Sequence, residues 1–262
     1  SSAASDVYKR QPYIPDGQIL VDVAKGMEPE TLYTMTEVIA DELNREGGPK
    51  GVKLVALSGP THAEEVALDL PTTIVSASPD LEAAEVVQEV FSNTCMRVYT
   101  NTDIKGVELS GAMKNVIALG VGISTGLGYG DNARAALITR GIAEIARLGV
   151  AMGCNVQTFA GLAGIGDLIV TATSMHSRNN RAGILIGKGE SPEQAVKEVG
   201  MVVEGINALP AAMELAEKYH VEMPIAQTVN AIVKEGMSAS DALRNLMSRD
   251  RKSEMPQGYE SV

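Results

Sequence analysis

Residues 19–24 read ILVDVA and residues 52–57 read VKLVAL; between them Leu32, Met35, Ile39 and Leu43 recur at helical spacing, with Pro29 where a first-turn proline belongs. Two more short apolar runs follow at residues 73–77 and 96–100, and Ser78-Pro79 opens a helix that ends near Phe91. Short apolar strands alternating with helical segments predict a parallel sheet with crossover helices. After Asn101 the strand signal stops. Asp131 and Asn132 can cap a helix running to about residue 152, with Gly153 as its stop, and Ser191-Pro192-Glu193-Gln194 combines an N-cap, a first-turn proline and a capping-box glutamine. Further helices are predicted at about 206–219, 225–234 and 239–248. The chain therefore reads as an α/β region followed by an all-helical one, with the boundary near residue 102.

Composition narrows the function. A chain of 262 residues with 45% hydrophobic residues can bury the cores of two modest domains, which excludes disorder for most of it. Its 33 acidic against 22 basic residues leave a formal charge of -11, so coating a duplex would work against the field of the whole molecule. Aromatics are 3% and tryptophan is absent, which also argues against base-stacking platforms. No nucleic-acid partner is expected; small anions can still bind where a few cations and backbone N–H groups converge. Residues 115–130 lack charge but are broken by Asn, Ser, Thr and five glycines, so no membrane span is expected. Cys95 and Cys154 lie far apart and the three histidines lack metal-ligand spacing, which predicts a reduced, cytoplasmic protein without a metal. Residues 1–11 are small and polar without an apolar core, and are expected to be a non-native or disordered leader, the alternative being a native flexible tail.

In open parallel sheets ligands gather beyond the carboxyl ends of the strands. The first strand ends in Lys25-Gly26 and the second in Ser58-Gly59-Pro60-Thr61, ahead of a helix start. Each is compatible with anion binding and with ordinary turn chemistry. Lys114, on a helix predicted over residues 103–123, shares its face with Val107, Ser110, Gly111, Ala118 and Val121. Desolvation there would lower its pKa and suit it to acid/base work; a lysine snorkelling out of a packed face is the alternative. Asn115 could position a substrate oxygen or a backbone group. The glycines of residues 161–167, GLAGIGD, read as tight helix-helix turns rather than a dinucleotide fingerprint. From Thr171 to Ser177-Arg178-Asn179-Asn180-Arg181, a hydroxyl, two guanidinium groups and two amides at a helix start could clamp a phosphate, or form an ordinary capped helix. His62, His176 and His220 read as isolated. Glu204 is a surface acid at a helix start or a partner for cofactor hydroxyls.

Six strings in this order resemble the bacterial-type NAD(P)-dependent glycerol-3-phosphate dehydrogenase family: residues 24–26, 57–63, 113–118, 164–169, 177–179 and 202–205. The likeness runs from about residue 12 to 254. It implies a partial Rossmann-type parallel sheet over residues 12–102 and an all-helical C-terminal domain over 103–262, of the 6-phosphogluconate dehydrogenase C-terminal type. It implies reduction of dihydroxyacetone phosphate to sn-glycerol 3-phosphate with NAD or NADP, feeding glycerophospholipid synthesis. Position by position, Lys25, Gly59, Thr61, Lys114, Asn115, Asp167, Thr171, Ser177, Arg178 and Asn179 would meet the substrate. Lys25, Ala63, Arg178, Val202 and Glu204 would meet the cofactor, and Lys114 would be the proton donor and acceptor.

One departure stands out. No glycine-rich pyrophosphate loop precedes Lys25, so the chain is expected to be an N-terminally truncated member with an unpaired sheet edge and weak cofactor binding, which titration with NADH and NADPH would test. Two competitors stay open: a related hydroxyacid or sugar-acid phosphate dehydrogenase, and a non-catalytic phosphometabolite-binding or oligomerisation fragment. A homodimer is a further expectation.

Overall fold

A computed structural model describes residues 11–45, 48–251 and 253–254. Residues 1–10 of the expected leader lie outside it; Gln11 does not behave as leader, because it is buried in a 3-10 turn, Gln11–Tyr13, and donates from Nε2 to the Glu42 carbonyl.

The first region is a four-stranded sheet in the order β1 (Ile19–Asp22), β2 (Lys53–Ser58), β3 (Thr72–Ala77), β4 (Met96–Asn101). The pairs β1–β2 and β3–β4 are parallel, but β2–β3 is antiparallel, against the all-parallel expectation. The reason is the connection. Helices α1 (Met35–Leu43) and α3 (Leu81–Phe91) are long enough to return the chain along the sheet. Between β2 and β3 stands only α2 (Ala63–Val66), about 6 Å of helix against a strand of about 20 Å, so the chain re-enters from the end at which it left. The carboxyl ends of β1 and β2 thus share one rim with the amino ends of β3 and β4. β1 is an edge strand among the described residues.

Helix α1 starts six residues later than Pro29 suggested. Leu32 takes φ 61, which no helix continues, and the start is set by Glu37 accepting from the Thr34 N–H at 2.9 Å. Along β2 the side chains alternate, so Val55 and Leu57 pack on Ala83 and Val87 of α3 while Ala56 faces Val107 and Ala163 on the opposite side.

That opposite side is covered by α4 (Ile104–Gly126), whose residues from Gly106 to Ser124 are all buried. The remaining helices surround it: α5 (Asp131–Ala151), α6 (Val156–Phe159), α7 (Asp167–Thr173), α8 (Arg178–Gly187), α9 (Pro192–Val199), α10 (Glu204–Lys218), α11 (Pro224–Lys234) and α12 (Ala239–Met247). Asp103 caps α4 by accepting from the Gly106 N–H, and its other oxygen accepts from the Asn155 N–H and Thr158 Oγ1, fixing α6 beside the start of α4. Glu108, buried on α4, accepts from both N–H and hydroxyl of Thr36, which welds α1 to the central helix.

Glycine sets the closest packing. A Cβ at Gly183 would stand 2.2 Å from the Leu119 carbonyl oxygen and 2.8 Å from the Gly122 Cα, so α8 lies on α4 backbone to backbone. The segment read as tight turns is instead a π-helical turn, Leu162–Gly166, leading directly into α7. Val156–Thr173, which spans α6, this turn and α7, has the length and composition of a membrane-crossing helix; it is not one regular helix, and its buried residues Phe159, Ala163, Leu168 and Ala172 belong to the packed core.

Candidate active site

Lys25 leaves the end of β1 and reaches across the rim, with Nζ 3.3 Å from the Gly59 carbonyl oxygen and 2.8 Å from Asp167 Oδ2. Gly59 carries φ 154, and a Cβ there would press on the Ile74 Cα at 3.1 Å, so only glycine makes this turn. Its carbonyl also accepts from Thr61 Oγ1 at 3.2 Å. The Lys25, Gly59 and Thr61 of the sequence reading are therefore joined at one carbonyl.

Lys114 lies on α4 with 5% of its surface exposed. It does not snorkel. Nζ donates to Asp167 Oδ1 and, at 2.7 Å, to Thr171 Oγ1, while the Thr171 hydroxyl donates to the Asp167 carbonyl. The expected apolar face of this helix is not what buries the amine, because the whole circumference of α4 is covered. Burial pushes the Lys114 pKa down from its ordinary range to about 8; the positive charge of Lys25 acts in the same direction, and the Asp167 carboxylate opposes both. The π turn helps place that carboxylate: Gly164 packs against the Phe159 backbone, and Asp167 begins α7 almost fully buried.

A second line of contacts leaves Asn115. Its Nδ2 donates to Glu204 Oε2 at 2.9 Å, and Glu204 Oε1 lies 3.4 Å from an Arg178 guanidinium nitrogen. Asn179 Nδ2 donates to Asn115 Oδ1 at 3.0 Å and Asn179 Oδ1 accepts from the Gly205 N–H at 2.8 Å. Ser177 is the N-cap of α8, its Oγ accepting from the Asn180 N–H. Lys114 and Asn115 are neighbours on α4, so this Asn115–Glu204–Arg178 set starts one residue from the Lys114–Asp167–Thr171 set, and the Glu204 charge acts on the Lys114 amine. Three cations, Lys25, Lys114 and Arg178, face two carboxylates, Asp167 and Glu204, which leaves a local charge of about +1 inside a protein of net charge -11, a setting that favours an anionic ligand.

Ala63 and Val202 stand outside this network. Ala63 is the exposed first residue of α2, next but one to Thr61, and Val202 is 57% exposed two residues before Glu204. Two features were not read from the sequence. His62 and His176 are not isolated: their ring centroids lie 6.0 Å apart, and His62 Nε2 is 3.4 Å from the Val170 carbonyl oxygen, so the Gly59–His62 loop touches the loop before α8. Gly205 also holds Asn179 through its N–H, and its only sequence signal was its place in the string Val202-Val203-Glu204-Gly205.

The C-terminal and N-terminal family models of NAD-dependent glycerol-3-phosphate dehydrogenase match residues 103–244 and 2–99. The chain is 68% identical over 243 residues to glycerol-3-phosphate dehydrogenase (NAD(P)+) 2 of Lactobacillus delbrueckii subsp. bulgaricus, covering 93% of this chain and 72% of that one. It is 54% identical over 256 residues to the Pelotomaculum thermopropionicum glycerol-3-phosphate dehydrogenase (NAD(P)+), covering 97% and 72%. Among solved structures, the glycerol-3-phosphate dehydrogenase of Coxiella burnetii superposes with a TM-score of 0.88 at 36% identity, covering 95% of this chain and 74% of that one.

Proposed function

The chain belongs to the NAD-dependent glycerol-3-phosphate dehydrogenase family, and we propose that Lys114, held by Asp167 and Thr171, is the group that moves the proton in the family's reaction. The protein is an NAD(P)-dependent oxidoreductase whose small-molecule substrates are dihydroxyacetone phosphate and sn-glycerol 3-phosphate, which ties it to glycerophospholipid metabolism. The competing readings, a hydroxyacid phosphate dehydrogenase and a non-catalytic fragment, have no observation in their favour.

Bound reduced nicotinamide supplies the hydride that the ketone carbon accepts. As that carbon is reduced, its oxygen gains negative charge. The Lys114 ammonium stabilises the charge and then gives up its proton to form the alcohol; in the reverse direction the neutral amine takes the proton back. A pKa of about 8 leaves both forms accessible near neutral pH. Lys25, on the other oxygen of Asp167, adds positive charge beside the reacting oxygen, and the Gly59 carbonyl steers its ammonium. Arg178, with Asn179 and Ser177 at the start of α8, holds the phosphate, so that the ketone is presented to Lys114 in one orientation.

The residues that would hold the cofactor are Lys25, Ala63, Arg178, Val202 and Glu204. Open apolar surface at Val202, beside the partly exposed Arg178–Glu204 pair, fits a flat ring with polar edges. Residues 12–102 form the cofactor-side unit and 103–262 the substrate-side unit in this reading, the junction lying at the Asp103 cap. A homodimer, the cytoplasm as setting, and no membrane span complete it; the unpaired thiols of Cys95 and Cys154 accord with a reducing compartment.

The observation that carries the reading is the buried Lys114 ammonium clasped by Asp167 and Thr171. Its test is NADH and NADPH oxidation with dihydroxyacetone phosphate, with unphosphorylated dihydroxyacetone, and with the Lys114→Met variant. Turnover confined to the phosphorylated ketone and abolished in the variant is expected. A variant that turns over at the parent rate would overturn the assignment.

A further inference from the structure

Four hydrogen-bonding groups close a circuit that begins and ends on the first turn of α10. The Gly205 N–H donates to Asn179 Oδ1, Asn179 Nδ2 donates to Asn115 Oδ1, and Asn115 Nδ2 donates to Glu204 Oε2. Glu204 is the residue before Gly205. Each end of the circuit has a fixed polarity, because a backbone N–H can only donate and an ionised carboxylate can only accept. The N–H therefore dictates which fork of the Asn179 amide is oxygen, and Asn179 in turn dictates the orientation of Asn115. Both amides are buried, at 5% and 3% exposure, so an inverted amide would lose its bonds without compensation from water.

The circuit depends on glycine. A Cβ at residue 205 would lie 2.5 Å from the Asn115 carbonyl oxygen and 3.1 Å from Asn179 Oδ1, so any side chain drives the start of α10 away from both asparagines. We infer that Gly205 is a positioning residue for the reaction: by its close approach and its N–H it sets the amides of Asn179 and Asn115, and so makes the phosphate grip depend on the seating of the Val202–Glu204 segment. The circuit uses one of the two Nδ2 hydrogens of Asn179 and leaves the other for a ligand oxygen beside Arg178. Cofactor contact at residues 202–204 and substrate contact at residues 178–179 are then coupled, and by linkage each changes the affinity for the other by the same factor. This inference rests on the substrate site proposed above.

The test uses the full chain, labelled with nitrogen-15, and follows hydrogen exchange of the side-chain amides of Asn115 and Asn179, identified by their loss in Asn115→Asp and Asn179→Asp. Asn180 is the internal control, since its Nδ2 donates to the Ala172 carbonyl at 2.6 Å, outside the circuit. In Gly205→Ala the Asn115 and Asn179 amides are expected to lose protection while Asn180 keeps it, and glycerol 3-phosphate affinity, measured by titration calorimetry, is expected to fall about tenfold. Asn179→Asp leaves the backbone approach intact but sets an acceptor against Asn115 Oδ1; the Asn115 amide is expected to lose protection there too, which decides the matter if Gly205→Ala does not fold. Unchanged Asn115 protection in the folded variants overturns the inference. Failure of the parent protein to bind glycerol 3-phosphate would instead count against the site reading, with the exchange data still judging the circuit.

Discussion

Asp167 divides its carboxylate between two lysines, Oδ2 to Lys25 and Oδ1 to Lys114, although 142 and 53 residues of sequence separate them from it. A single anion therefore holds two cations at one point, and in the proposed mechanism the charge state of the more deeply buried amine, Lys114, governs the direction of the chemistry.

The first expectation concerns pH. With the Lys114 pKa lowered to about 8, ketone reduction, which needs the ammonium, should fall as pH rises through about 8, and alcohol oxidation, which needs the amine, should rise over the same range. Asp167 holds the Lys114 pKa up, so Asp167→Asn should move both limbs to lower pH. It also leaves the buried Lys114 ammonium without its counter-charge, and the part-buried Lys25 as well, and should cost about 3–5 kcal/mol in urea denaturation. Profiles of kcat/KM in both directions check the sign.

Arg178 is about a third exposed and, among the described residues, is held by a 3.4 Å contact to Glu204, so it can exchange that partner for phosphate. Arg178→Ala should raise the KM for dihydroxyacetone phosphate by about 10–100-fold. Turnover should fall as well, because the ketone is no longer oriented. Steady-state kinetics with both substrates varied separates the two effects.

Helix α8 owes its place to glycine. Gly183→Ala should destabilise the protein by about 2–3 kcal/mol, since its Cβ would meet backbone on α4 rather than a movable side chain. Gly166→Ala is the contrast: Gly166 has helical dihedrals, and the nearest atom to an added Cβ is 3.7 Å away, so a change near zero is expected. Denaturant midpoints of the two variants give the comparison.

Glu144 on α5 is buried and accepts from the N–H groups of Ile225 and Ala226 at the start of α11. Burial pushes its carboxyl up to about 7, with those two N–H groups opposing. The folded protein thus keeps a proton that the unfolded chain releases near the ordinary carboxylate value. Stability from this group is full below that value and is lost as pH rises to about 7, a decline of about 1–3 kcal/mol. In Glu144→Gln the decline should disappear. Thermal melts between pH 5 and 8 would show it.

Local chemistry made much of the helical half legible. Ser191 with Pro192 marks the start of α9, Pro224 that of α11, and Gly153 with φ 88 stands just past the end of α5, all as side-chain and dihedral preferences within one turn dictate. The same reasoning misplaced the start of α1, because the φ of Leu32 is imposed by packing. It also took the glycines of residues 120–130 for interruptions of an apolar run, when Gly122 is what admits α8. A glycine in a helix looks alike in sequence whether it weakens the helix or receives a neighbour.

What the chain by itself determined is which chemical groups are available and where helices such as α9 and α11 begin, since caps, prolines and apolar spacing act within a few residues. Tertiary structure alone decided that β3 runs against β2, that α4 is covered on every side, and that Lys25, Lys114 and Asp167 meet. The burial that lowers the Lys114 pKa and the amide polarity set by Gly205 are properties of groups 26 to 142 residues apart, and no periodicity along the chain records such a meeting.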